Sequence, residues 1–596
     1  VALGYFQKSE TEFYRFSGVQ GQRVVHHPGD LIRTLEELEQ ICSTEGLWAM
    51  GYLSYEAAFG LDEKLQSREP LGPLLEFTFF QHREILPIPQ TDCEAFLSPP
   101  SPSLDEKEYR GALGAIRNYL KKGETYQVNY TFPLKGRIFN LPVEEGPRDQ
   151  ELLKLWIKLL RAQACRYGGM YFGQKQTVLS QSPELFFHKK GEQIFCRPMK
   201  GTRANTPENN PQLILQELQG NPKDQAENLM IVDMIRNDLG KIAHPGSVQV
   251  TELFQVEEYP SVFQMVTPIK AKSSAGLSDI FHALFPCASI TGAPKKRTME
   301  IIQELEPQAR GIYTGALGWI GPGREALFNV PIRTLSLSSE GKSCIDYRYS
   351  VGSGIVWDSE PESELVECMI KARFLEAAYR DFDLIEALRW TPENGLENLD
   401  EHLERMAGTA ESIGEKPQPG RWKEEMERWL EELNKEKLLP QIPQKVKITL
   451  DSNQNLHPRF LGEAKVPSSF LYALATVPLP EDQDFFLRNK TSRRSIYLRM
   501  LEAVPGADQV ILHTPQGHLT EGTSANLYLR IGGEWYTPPQ DLPLLPGCHR
   551  ARILQQGLVK ERVLNLRDLQ SCEEVAFSND VRGWVQGRPL SSQYTL

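Results

Sequence analysis

The chain has 596 residues, 40% of them hydrophobic, and a formal net charge of -12 from 66 basic and 78 acidic side chains. That length holds several domain-sized units, and the acidic balance leaves no basic surface for a phosphate backbone, which excludes nucleic acid as the main partner. No apolar run approaches the ~20 residues that span a bilayer, so no membrane partner is expected either. The opening VALGYFQKSE lacks the basic and apolar regions of a secretory peptide, and the cytoplasm is the expected compartment. The nine cysteines are scattered with no C-x-x-C spacing, as suits reduced thiols. HExxH, GxSxG, Walker A and GxGxxG strings are absent, which sets aside the chemistries they mark.

Residues 1–100 mix short strand-like runs with Pro-rich breaks and end in a turn-rich connection around Ser98–Glu106. Ser103 stands three before Glu106 as a capping box, and Tyr109, Leu113, Ile116 and Leu120 predict a helix that Gly123 stops. From there to about 355, β-branched and aromatic runs alternate with helical stretches such as Gln225–Leu239. Spacing of Leu365, Met369, Ala372 and Leu375 predicts one helix from Ser363 to Tyr379, running directly into the strand-like DFDLIEALRW. A boundary near 380 follows. Beyond it lie a helical stripe from Leu399 to Ile413, a second helix over Trp422–Leu433, and strands around Val446–Leu450 and Phe470–Val477.

Two constellations carry chemistry. In the first, Glu227 sits in one helix and Glu364 and Glu367 lie a turn apart on another, so their carboxylates suit a hard cation such as Mg²⁺. The same residues also fit solvated helix faces, because Lys223–Glu227 and Glu367–Lys371 are i,i+4 pairs. Lys200, beside Gly201, is a nucleophile if desolvated and a surface lysine otherwise. Glu184, ahead of a hydrophobic strand, is an acid if burial keeps it protonated. In the second constellation, Lys490, Glu521, Arg405 and the LLPGCHR turn supply what pyridoxal phosphate asks of a protein: an amine for the aldehyde, an acid for the pyridine nitrogen, and donors for the phosphate. Each of these residues also has an ordinary structural reading.

The strings YQVNYT (126–131), SPELFF (182–187), PMKGT (198–202), AENLMIVDMIRNDLG (226–240), FPCASITGAPKKR (285–297), GIYTGALGW (311–319) and VGSGIVWDSEPESELVECMIKA (351–372) together resemble the chorismate-utilising enzymes. The resemblance covers roughly 100–380 and, through GYLSYEAA at 51–58, extends toward residue 1. It implies an α+β class, with a large antiparallel two-sheet chorismate-binding fold over 1–380, made of an N-terminal segment (residues 1–100) and a core (residues 101–380). Glu227 and Glu367 would hold Mg²⁺, with Glu364 ligating it or holding metal-bound water. Arg333 and the N–H groups of Gly352 and Gly354 would receive chorismate carboxylates, with Thr291 and Tyr349 nearby. Lys200 replaces the alanine of anthranilate-forming relatives and matches a lysine proposed to attack the ring. Gln127 stands where water-adding relatives carry lysine, and Glu184 matches the acid that helps the C4 hydroxyl leave. The implied product is 4-amino-4-deoxychorismate, with anthranilate the alternative. Gln264, in YPSVFQ, stands where relatives have histidine. No glutaminase domain is recognised, so ammonia would come from solution or a separate glutamine amidotransferase subunit.

Toward the C-terminus, FDLIEALRW, LDEHLERM, NKTSRR, LTEGTSANLYL, LLPGCHR and FSNDVRGW resemble class IV (D-amino-acid aminotransferase-like) pyridoxal-phosphate enzymes, a group that includes 4-amino-4-deoxychorismate lyase. Over 381–596 the resemblance makes Lys490 the Schiff-base lysine, Glu521 the pyridine partner and Arg405 a phosphate ligand. Gly547, Cys548, His549, Ser578 and Asn579 would complete the phosphate cup. Relatives usually have Glu-Thr at Glu386–Ala387 and Ile-Thr at Cys548–His549, so two hydroxyls are lost, and a strand pair that precedes this segment in relatives is missing. The two halves together imply p-aminobenzoate synthesis for folate from chorismate and ammonia, the second step eliminating pyruvate. A transaminase or a non-catalytic module stays open for the second half.

Overall fold

A computed structural model of the chain describes residues 4–65, 68–205, 210–259, 262–338, 344–480 and 484–590. Residues 1–3 of the opening segment and Pro260 and Ser261 of the YPSVFQ string lie outside them. The chain divides into two compact units, Val1–Ile138 with Glu144–Ala378, and Phe139–Val143 with Tyr379–Leu596. The division falls just before the boundary expected from sequence, because Arg380 is built into the second unit. Its guanidinium pairs with Glu415 at 2.5 Å and donates to the carbonyls of Phe382 and Asp451. Phe139 joins that unit by ring contact with Phe485, which also packs on Phe382.

The first unit is built on a large antiparallel sheet system. Glu12–Val25 pairs along its length with Leu75–Pro87, and Gln127–Phe139 pairs with Ile345–Ile355 in the register Val128↔Ile355 to Ile138↔Ile345. A smaller three-stranded sheet carries Met199–Ala204, Val262–Val266 and Gln255–Glu258. Close approach of the long strands sets one glycine: a Cβ at Gly352 would lie 2.6 Å from Thr131 Cγ2 and from the Tyr130 carbonyl.

The helix Glu106–Lys121 buries Tyr109, Leu113 and Ile116, as the stripe predicts, and ends before Gly123 at φ +72°. Its cap differs from the expected one. Asp105, not Ser103, accepts from the Glu108 N–H at 2.8 Å while Glu108 reaches back to the Asp105 N–H. Asp105 and Glu108 carry the same three-residue spacing two positions later, directly ahead of the buried stripe. Asn221 caps Pro222–Gly240 by accepting from Lys223 and Asp224 N–H groups, with Pro222 at the first helical position. The single helix expected from Ser363 to Tyr379 is broken: Pro361–Ile370 is α-helical and Arg373–Ala378 is a 3₁₀ helix. The Lys371 carbonyl accepts the Tyr349 hydroxyl at 2.6 Å, and the Leu375 N–H bonds instead to Ala372, three residues back. A tertiary hydrogen bond thus ends a helix that periodicity alone would continue.

In the second unit Leu384–Thr391 pairs with Gln444–Leu450, which pairs in turn with Leu456–Glu463. An eight-stranded mixed sheet holds the rest, with Phe470–Leu474 parallel to both Gln509–His513 and Gly583–Pro589. Helix Leu399–Ser412 buries Leu403, Met406 and Ala410 along the predicted stripe.

Candidate functional site

The first unit encloses a cavity of about 340 Å³ whose wall includes Glu184, Lys200, Glu227, Arg333, Glu364 and Glu367. Lys200 reaches it through an irregularity of the small sheet: register shifts between Met199 and Thr202, and Gly201 takes φ +92°. Such a bulge re-aims a side chain out of the ladder. Gln264 fixes it from the opposite strand, donating to the Gly201 carbonyl and accepting from the Thr202 hydroxyl, both at 2.8 Å.

The Lys200 Nζ lies 3.4 Å from Glu227 Oε2. A Cβ at Gly354 would fall 2.6 Å from that Nζ and 2.8 Å from Gln127 Nε2, so amine and amide flank one point on the backbone. Gln127 is fully buried, and among the described residues neither of its amide atoms has a hydrogen-bond partner. Glu184 is buried too. Burial pushes its carboxyl up to about 7, against the lowering pull of the Ser289 hydroxyl, which donates to Oε1 at 2.7 Å, the Met199 N–H and the Lys200 charge. Ser289 was not expected from sequence, although it stands inside the FPCASITGAPKKR string.

Arg333 sits at φ +52°, and among the described residues no carboxylate pairs with its guanidinium. Burial pushes its pKa down, and only tyrosines and a cysteine oppose that. A desolvated cation with no counter-ion is a receptor for an anion. Tyr349 and both glycines line the same wall, but the Tyr349 hydroxyl is spent on Lys371, whose Nζ holds the Gly352 carbonyl at 2.8 Å. Thr291 departs from expectation. It is absent from the cavity wall, and its hydroxyl donates to the Cys287 and Ala288 carbonyls of the turn it ends.

The carboxylates expected to hold Mg²⁺ face this cavity without forming a tight cluster. Among the described residues, only His402, Cys548 and Asp580 bring three potential ligand atoms within 4.8 Å. Glu367 takes up the helix-surface pairing, with Lys371 at 2.7 Å, whereas Glu227 pairs with Lys200. Partial burial pushes the Glu367 carboxyl up, but Lys371, then Lys200 and Lys223, hold it below its ordinary value. Glu364 Oε2 is buried without a partner among the described residues. An all-oxygen set with one orphaned carboxylate oxygen fits a hard cation that keeps several of its waters.

The second unit encloses a cavity of about 440 Å³ lined by Lys490 and Glu521 among others. Burial lowers the Lys490 amine to about 8 even though Glu386 lies 3.6 Å away and raises it. Burial likewise raises Glu521 to about 8; its Oε1 accepts the Tyr497 hydroxyl at 2.7 Å. These two groups fit the aldehyde and pyridine ends of pyridoxal phosphate. Gly547 is held as glycine, since a Cβ there would collide with Asn526 Oδ1.

Several of the donors nominated for the phosphate are already engaged. Arg405 gives Nε and Nη2 to the buried Glu386 at 2.9 and 2.5 Å, and Nη1 to the Pro546 carbonyl. The His549 N–H bonds to Asp580 Oδ2 at 2.8 Å, and its ring Nδ1 lies 2.9 Å from the Ser578 hydroxyl. Asn579 donates to the Ser524 carbonyl, and the Cys548 thiol lies 3.8 Å from Glu401 O and 4.0 Å from His402 Nδ1. Glu386, His402 and Asp580 are among the polar residues of this wall that were not expected from sequence. His402 precedes Arg405 by three on one helix face, and Asp580 directly follows Asn579, so both stand beside predicted positions.

Residues 87–377 match the chorismate binding enzyme family, and residues 383–589 match amino-transferase class IV. The chain is 32% identical over 337 residues to aminodeoxychorismate synthase component 1 of Bacillus subtilis, covering 56% of this chain and 67% of that protein. It is 38% identical over 277 residues to the protein of the same name from Klebsiella aerogenes, covering 45% of this chain and 57% of the relative. Anthranilate synthase component 1 1 of Haloarcula marismortui is 36% identical over 287 residues, 47% of this chain and 55% of that protein. Among solved structures, anthranilate synthase component I from Streptococcus pneumoniae superposes with a TM-score of 0.51 at 21% identity, covering 63% of this chain and 92% of that one, a likeness of fold.

Proposed function

The chain belongs to the chorismate-binding enzymes and carries a class IV aminotransferase domain, and on that premise we propose that it makes p-aminobenzoate in two steps. The first unit aminates chorismate with ammonia to 4-amino-4-deoxychorismate, and the second eliminates pyruvate from that product. One observation carries the first step: Lys200, the acid Glu184 and the unpaired Arg333 line a single cavity.

Arg333 receives a substrate carboxylate, since the site provides it no internal counter-ion. The Lys200 amine, once its proton has passed to solvent, adds to the ring while the Glu184 proton passes to the C4 hydroxyl, which departs as water. Ammonia then adds at C4, Lys200 leaves as a neutral amine, and the ammonium proton restores Glu184. A Mg²⁺ held from Glu227, Glu364 and Glu367 would supply positive charge beside the anionic substrate. Burial holds Glu184 near neutrality for this exchange. The name component 1 borne by the relatives supports ammonia delivery by a separate glutamine amidotransferase subunit. No helix among the described residues is long and apolar enough to cross a membrane, and the cytoplasm remains the proposed compartment.

In the second unit Lys490 would hold the aldehyde, and Glu521 would face the pyridine nitrogen and exchange a proton with it at the carboxyl. Pyridoxal phosphate, when bound, supplies an electron sink for the elimination. Lys490, once released, moves the proton that aromatisation requires, which an amine lowered to about 8 is suited to do. The engagement of several phosphate donors favours a second reading, in which this unit is a non-catalytic module.

Product analysis decides between these. With chorismate, ammonium and Mg²⁺, the expected product is 4-amino-4-deoxychorismate, and added pyridoxal phosphate should convert it to p-aminobenzoate and pyruvate. Anthranilate as the product would refute the first step; an intermediate that persists with cofactor present would refute the second.

A further inference from the structure

The helix Cys548–Gln555 begins at Gly547, which has no side chain to cap it, and Asp580 performs that task from a distant strand end. Its Oδ2 accepts the His549 N–H at 2.8 Å and lies 3.6 Å from His402 Nε2. Its Oδ1 accepts from Asn398 at 3.3 Å and pairs with Arg552. The Asp580 side chain is 5% exposed and lines the cavity that holds Lys490. His402 is fully buried, and its Nε2, facing Asp580, has no hydrogen-bond partner among the described residues. Burial pushes the Asp580 carboxyl up, but Arg552 and His402 hold it below its ordinary range, so it is an anion.

A helix N-terminus is an anion site, and here the anion belongs to the protein. We propose that Asp580 is an internal competitor for the phosphate of pyridoxal phosphate, so that the phosphorylated cofactor binds only by displacing Asp580 from the His549 N–H. The inference rests on the reading of this cavity as a pyridoxal-phosphate site. A dianion entering beside a desolvated carboxylate meets repulsion that solvent does not screen. Displacement does not strand Arg552, whose other nitrogen is paired with Glu401. His402 Nε2 and the freed N–H then face the incoming oxygens. Asp580 therefore sets how much the phosphate contributes to cofactor affinity, while the aldehyde and pyridine ends are untouched by it.

The test is equilibrium binding of pyridoxal phosphate and of unphosphorylated pyridoxal to the full chain, read from the visible absorbance of the lysine-bound aldehyde. Asp580→Ser should tighten pyridoxal phosphate on the order of tenfold or more and leave pyridoxal unchanged. Asp580→Asn removes the charge but keeps the shape and the capping acceptor, so it should gain less and guards against a folding defect in the first variant. If wild type binds pyridoxal phosphate and both variants bind it equally or more weakly, or gain as much for pyridoxal, the competitor role is wrong and the cofactor reading stands. If neither aldehyde gives a lysine-bound absorbance in any of the three proteins, the cofactor reading falls and the inference with it.

Discussion

The two cavities differ in what they leave unpaired. In the first, Arg333 has no carboxylate, Glu364 has an orphaned oxygen, and the buried amide of Gln127 has no partner among the described residues. In the second, Glu386 is shared by Arg405, His402 and Lys490, while Asp580 occupies the helix end meant for an anion. Unpaired buried polar groups carry a desolvation cost that a matching ligand removes, so the first site gains when its ligands arrive. The second, His402 Nε2 excepted, must exchange existing hydrogen bonds for new ones, and only the surplus appears as affinity. Similar cavity volumes thus give opposite expectations about how strongly each holds its charged ligand.

The largest expected effect tests whether the two sites are independent. Lys200→Ala should lower amination of chorismate by at least about a thousandfold while leaving the cofactor absorbance of the second unit intact, and Lys490→Ala should do the reverse. Loss of both signals in either variant would undo the separation. Next, Gly354→Ala places a methyl 2.6 Å from the Lys200 amine and should reduce amination on the order of a hundredfold with little change in thermal unfolding; near-normal kcat would show that Lys200 does not work from its observed position.

Glu364→Gln should weaken Mg²⁺ dependence of amination by about tenfold or more, measured as the concentration for half-maximal rate. An unchanged Mg²⁺ curve would mean that the orphaned oxygen serves no cation. The smallest effect concerns pH. Glu184 is raised from 4.5 to about 7, so it is the acid below that value, and amination should fall as pH rises through about 7. By linkage, its contribution to stability is fully present below about 4.5 and is lost as pH rises through about 7. Glu184→Gln should therefore flatten both the rate profile, at a low level, and the melting temperature across that interval. A rate profile that keeps its alkaline limb in the variant would assign that limb to another group.

Much of the fold could be read from periodicity and ordered motifs. The stripe from Leu399 to Ala410 became a buried helix face, and the strings around Lys200, Glu184, Glu227 and Arg333 converged on one cavity although they lie more than a hundred residues apart at the extremes. Local rules failed where a long-range partner intervened. Tyr349 ended the helix that runs from Pro361 by taking the Lys371 carbonyl, and the turn ending at Thr291 absorbed the hydroxyl of a residue expected near the substrate carboxylates. Gln264, a departure from the expected histidine, acquired a definite task only once the strand opposite Lys200 was in place.

The chain by itself determined which residue types are available: a lysine beside a glycine, three helix carboxylates, a second lysine with a distant glutamate, and the elements that carry them. Those depend on spacing, which a linear pattern records. Which groups are paired and which are left wanting was decided only by the tertiary structure, because burial and hydrogen-bond partners come from strands and helices far apart in the chain. Asp580 is the sharpest case. As a residue it is one acid among the 78 acidic side chains, and only its place at the start of the Cys548–Gln555 helix makes it a rival to a phosphate.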